Sequence, residues 1–84
     1  GMMTAKQQAY AWHLIYELCD LDPSAATPGE RMIGAIRKII GIEASAARPF
    51  AWISFEQGRK FLTTLKYYVD SATRRAAKGG RGSG

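Results

Sequence analysis

Trp52-Ile53-Ser54-Phe55-Glu56-Gln57-Gly58-Arg59-Lys60-Phe61-Leu62-Thr63-Thr64-Leu65-Lys66 holds a helix start, an apolar face and a basic face in one stretch. Ser54 stands three residues before Gln57. At that spacing a serine hydroxyl accepts from the N3 amide while the glutamine side chain reaches back to the cap amide, so a helix is predicted to begin there. Phe61, Leu62, Leu65, Tyr68, Val69 and Ala72 then fall on one broad face, and no proline interrupts them. This is the longest helix expected, over residues 54–75.

The same start signal occurs twice more. Thr4-Ala5-Lys6-Gln7 and Thr27-Pro28-Gly29-Glu30 also pair a threonine with Gln or Glu at N3, and the second has proline at the first helical position. After the first, Ala11, Leu14, Ile15 and Leu18 form an apolar stripe that ends at Asp20-Leu21-Asp22-Pro23. After the second come Met32, Ile33, Ile36, Ile39 and Ile40, with Gly41 suited to a left-handed C-cap. The isoleucines also suit a strand, but the capping box, the i+4 spacing and the terminal glycine favour helix. The fold class that follows is all-α, a small three-helix domain with helices over residues 4–19, 27–40 and 54–75.

Outside the domain, Gly1-Met2-Met3 reads as an expression scar or start. Residues 76–84, Ala-Ala-Lys-Gly-Gly-Arg-Gly-Ser-Gly from position 76, read as a flexible basic tail because they offer no bulky apolar group to offset the entropy of ordering. The connection over residues 42–53 is expected to be ordered and pinned by Phe50 and Trp52, with Trp52, Phe61 and Tyr68 in the core.

With 84 residues the chain suffices for one domain, and one this small hides only about 60 to 65% of its unfolded surface. Hydrophobic residues at 46% and charged ones at 23% are ordinary globular usage. No apolar run approaches the roughly 20 residues that cross a bilayer, and no signal peptide opens the chain. A cytoplasmic protein without membrane contact is expected. Cys19, the single cysteine, excludes an internal disulfide and reads as a small apolar residue on a buried helix face.

Catalytic chemistry finds few converging groups. His13, the only histidine, has Glu17 at i+4 to orient it but no nucleophile in view, and reads as a partly buried helix histidine with a local hydrogen bond. His13, Glu17 and Cys19 do not share a helix face, and Asp20 and Asp22 lack the remainder of a calcium loop. No enzyme, metal, cofactor or small-molecule substrate is expected.

The charge is unevenly placed. Residues 1–30 hold one basic and four acidic groups, whereas residues 31–84 hold eleven basic and three acidic ones. Such asymmetry attracts polyanions, of which nucleic acid is the commonest in a cell. The candidate phosphate contacts are Arg59, Lys60, Lys66, Arg74 and Arg75 on the third helix, with Lys78 and Arg81 adding non-specific attraction. Trp12, Tyr16 and Tyr67, off the main apolar stripes, are the candidates for a protein interface. A helix-turn-helix is a poor fit, because residues 42–53 separate the second and third helices where that motif uses three or four.

Taken together, these residues resemble the C-terminal part of the GemA family of Mu-like bacteriophage and prophage regulatory proteins. The resemblance runs over residues 4–70: Thr4-Ala5-Lys6-Gln7-Gln8 with Trp12 and Leu18, Met32-Ile33 to Gly41-Ile42, and Trp52-Ile53-Ser54 with Gln57 and Leu62-Thr63-Thr64-Leu65-Lys66. The last block is similar to a Trp-Leu-Thr, Gln-Ala, Leu-Lys signature, with Gly58 where the family tends to have alanine. What the resemblance implies is a phage-derived, non-enzymatic modulator of host gene expression or DNA topology, acting on DNA or a DNA-processing protein, with no catalytic residues to carry over. The alternative is a protein-interaction or oligomerisation module, such as a homodimer, that binds no nucleic acid.

Overall fold

The computed structural model describes residues 1–23 and 26–83, with side chains to residue 77. Its elements are three helices, α1 (Ala5–Leu21), α2 (Pro28–Ile40) and α3 (Phe55–Ser83), so the all-α three-helix expectation holds. Each helix opens on its reciprocal capping box. Thr4 Oγ1 accepts from Gln7 N at 3.1 Å and Gln7 Oε1 from Thr4 N at 2.9 Å. Thr27 and Glu30 repeat this at 3.2 and 2.8 Å, and Ser54 and Gln57 at 3.1 and 2.9 Å. Two amides without an intrahelical acceptor are thereby satisfied at every start.

The helix ends follow the same local chemistry. α1 runs slightly past the expected end, and the Asp22 amide donates to the Leu18 carbonyl at 2.8 Å before Pro23. α2 closes on Gly41, whose φ of 71° is the left-handed conformation that costs glycine nothing, and its isoleucines are helical.

α1 packs most broadly on α3, and α2 contacts both. The buried centre joins Ala11, Leu14 and Ile15 of α1, Met32 and Ile36 of α2, and Phe61, Leu65, Val69 and Ala72 of α3. Tyr68 is half-buried against it, as are Leu62, Leu18 and Cys19; Cys19 is therefore less enclosed than expected. Phe50 and Ile53 close one side from the connection.

That connection corrects one expectation. It descends in successive turns, with Arg48 N donating to Ser45 O at 3.2 Å, Ala51 N to Arg48 O at 3.3 Å and Ile53 N to Phe50 O at 3.2 Å. Phe50 is buried as expected, but Trp52 is 76% exposed and does not pin the start of α3. The backbone turns through residues 49–52 before it reaches the Ser54 cap. Ile53, immediately before the Ser54 cap, takes the inward position and leaves Trp52 facing out.

Residues 1–3, read from the sequence as lying outside the domain, belong to it. Phe55 N donates to Gly1 O at 2.8 Å, Met3 N donates to Ile53 O at 3.2 Å, and Met2 and Ser54 form an isolated antiparallel bridge. Met3 is only 5% exposed. Two glutamines complete the clasp: Gln8 Nε2 donates to Met3 O and Gln7 Nε2 to Phe55 O, both at 3.3 Å. The physical reason is that the first amides of α3 need acceptors and Ile53 needs an apolar neighbour. A three-residue segment carries too little pattern to announce that from sequence.

α3 does not stop near residue 75. Ala76 and Ala77 are strong helix formers, and the helix ends at Ser83. Of the flexible basic tail expected over residues 76–84, residue 84 and the side chains from residue 78 onward lie outside the described residues. Ala72 is the last buried α3 side chain among those described, so the helix projects past the bundle along the long dimension of a 48 × 23 × 20 Å molecule. Among the described residues no helix is long and apolar enough to cross a membrane.

Candidate functional site

The charge distribution sharpens once the helix boundaries are fixed. α3 holds seven basic and two acidic residues, and the remainder of the chain holds five of each. The whole formal net charge of +5 therefore belongs to α3.

The predicted cations do not act as one face. Arg59 and Lys66 lie on one line of α3 beside acidic partners: Arg59 Nη1 is 3.9 Å from Glu56 Oε1, and Lys66 Nζ donates to Asp70 Oδ1 at 2.8 Å. The hydrogen bond to Asp70, reinforced by its charge, raises the Lys66 ammonium above the ordinary lysine value of 10.5. Tyr10 and Glu17 of α1 act weakly in the same direction. Such exposed pairs stabilise little, but they offset the positive potential on this line.

Lys60 and Arg74 are exposed and have no ion-pair partner among the described residues. With 100° per residue, positions 60, 67 and 74 follow each other along one narrow stripe of α3. Arg75 lies on another flank, in shallow recesses shared with Leu21, Asp22 and Tyr68. Lys78 and Arg81 are on α3, with side chains outside the described residues.

The proposed protein-interface residues also separate. Trp12 and Tyr16 meet on α1, their ring centroids 6.0 Å apart, and Trp12 packs edge-on against Phe50 at 6.2 Å. Tyr16 is exposed and Trp12 half-buried. Tyr67 is 62% exposed on α3, where its ring neighbour is Tyr68 at 6.4 Å. Beside Trp12 lies an open groove of about 640 Å³ walled by Met2, Gln8, Phe50 and the loop over residues 46–51, with Arg48 as its only charged lining residue.

His13 departs from expectation. It is not partly buried; its side chain is 68% exposed, 3.5 Å from Glu17 and stacked with Tyr10 at 6.3 Å. The three groups sit together on the outer face of α1 because positions three and four apart coincide on a helix. Among the described residues no three His, Cys, Asp or Glu groups are arranged to hold a metal ion.

Several features escaped the sequence reading. Met3 and the Gly1 carbonyl carry no motif. The sorting of the cations was recoverable, since Glu56–Arg59 and Lys66–Asp70 have the i,i+3 and i,i+4 spacing of helix ion pairs. Comparison with protein-family models, with curated proteins and with solved structures finds no match for this chain.

Proposed function

We propose that this chain is a small, non-enzymatic regulatory module of GemA-like, phage or prophage origin, acting in the cytoplasm on DNA or a DNA-processing protein through α3. The observation that carries the reading is the confinement of the net charge of +5 to a single helix that projects past the bundle. A concentrated cationic helix gains affinity for phosphates by releasing condensed counterions, and this gain weakens as salt is added. Lys60 and Arg74 are the first contacts, being exposed and without acidic partners among the described residues. Arg59 and Lys66 contribute less while Glu56 and Asp70 hold them.

Fluorescence anisotropy with labelled DNA across a salt series tests this. Affinity is expected to fall steeply with salt, and Lys60→Gln or Arg74→Gln is each expected to reduce the logarithmic slope by about one. No binding of duplex or single-stranded DNA at low salt overturns the nucleic-acid reading.

The groove beside Trp12 favours a second reading, self-association. Its one cation, Arg48, calls for a carboxylate beside an apolar group, and a second copy of the chain offers exposed Phe55 next to exposed Glu56. Light scattering is then expected to report a dimer that Trp12→Ala abolishes. A monomer at all accessible concentrations excludes this reading.

A further inference from the structure

We infer that the stripe Lys60–Tyr67–Arg74 binds single-stranded nucleic acid, with Tyr67 as a stacking platform for an unpaired base and the two cations on the flanking phosphates. The inference rests on the nucleic-acid reading above and names the form of the ligand. Tyr67 is the most exposed aromatic on α3, at 62%, and contributes little to the core. Its position is nevertheless supported. It leans on Tyr68 with centroids 6.4 Å apart and planes inclined by 56°, and Tyr68 is held by the core below and by Lys38 Nζ at 5.6 Å from its ring. A ring supported in this way loses less side-chain entropy when a base stacks on it.

The charges around it suit a strand. Lys60 lies two turns before Tyr67 and Arg74 two turns after, each about 10.5 Å along the axis. Of the acidic groups of the helix, Asp70 is bonded to Lys66, while Glu56 sits one turn before Lys60 on the same side, 3.9 Å from Arg59, and borders the far end of the stripe rather than Tyr67. Lys38 adds a further cation behind the Tyr67–Tyr68 pair. Asp22 is the acidic residue on that flank, and Arg31 Nη2 lies 4.0 Å from its carboxylate. Aromatic faces interleaved with cations favour an unpaired strand over a duplex, because a duplex already stacks its bases internally and presents only phosphates and groove edges.

Anisotropy titrations at low salt with a labelled oligothymidylate and with a duplex of equal length test the inference. The full chain is expected to bind the single strand more tightly. Tyr67→Ala is expected to weaken single-strand binding roughly five- to a hundredfold, as loss of one base–aromatic stack does, and to leave duplex binding unchanged. Tyr67→Phe should retain affinity for the single strand, since the ring face is preserved. Lys60→Gln and Arg74→Gln should weaken both ligands and flatten their salt dependence. Circular dichroism should report unaltered helix content in every variant, because all three side chains are exposed.

If Tyr67→Ala leaves single-strand affinity intact while the wild-type chain still binds both forms, the stacking inference fails and the broader reading stands. If Tyr67→Ala weakens strand and duplex equally, base stacking is likewise overturned. Binding of neither form by the wild-type chain removes both readings together.

Discussion

Replacing Phe61 by alanine is expected to destabilise the domain by about 3 to 5 kcal/mol, the usual cost of deleting a buried aromatic side chain and leaving part of its volume empty. Phe61 is among the largest fully buried side chains and belongs to the single core cluster shared by the three helices. α3 meets α1 over the broadest interface in the molecule, so a cavity there loosens the main contact of the bundle. A domain of 84 residues has roughly 4 to 12 kcal/mol of total stability at the usual yield per residue. The variant is therefore expected to lose a large share of that stability, and at the low end of the range to be largely unfolded at 37 °C. Urea denaturation followed by circular dichroism measures the change; a loss below about 1 kcal/mol would show that Phe61 does not organise the core.

The second large effect concerns Met3 and Gly58, which the fold brings face to face. A Cβ built on Gly58 falls 2.7 Å from Met3 Cγ and 3.4 Å from the Gln7 amide atoms, and Met3 is 5% exposed. Met3→Ala is expected to cost about 2 to 3 kcal/mol, within the range for burying alanine where methionine stood. Gly58→Ala alone sets an overpacking cost of about 1 to 3 kcal/mol against a helix-propensity gain of about 1 kcal/mol, and a net loss is expected. In the Met3→Ala background the clash is gone and the same substitution should stabilise by about 0.5 to 1 kcal/mol. This change of sign is the diagnostic outcome of the double-mutant cycle. Additive effects in the cycle would mean that Met3 and Gly58 do not touch in solution. The packing also accounts for glycine at position 58.

The parts of the fold legible in the sequence are those governed by near neighbours. Ser54 with Gln57, and the two threonine boxes, are fixed by a three-residue spacing and start helices wherever the chain leads next. Gly41 likewise needs only its own backbone angle to end α2. The candidate site was legible in the same degree. The positions of Lys60, Tyr67 and Arg74 along one stripe follow from helical register, whereas the surroundings of the Tyr67 ring depend on Tyr68 packing against the core and on Lys38 arriving from α2.

Trp52 marks where local reasoning stopped being sufficient. Size and hydrophobicity argued for burial, but Ile53 and Phe50 fill the available inward positions, and geometry leaves the indole outside. By itself the sequence determined three capped helices, their apolar faces and the basic character of the third, because each depends on interactions within a few residues. The tertiary structure alone decided that residues 1–3 clasp the start of α3, that Gly58 must stay small, and that Lys38 of α2 meets the Tyr68 ring of α3. Those outcomes depend on which surfaces meet across long sequence separations, and no local pattern encodes that.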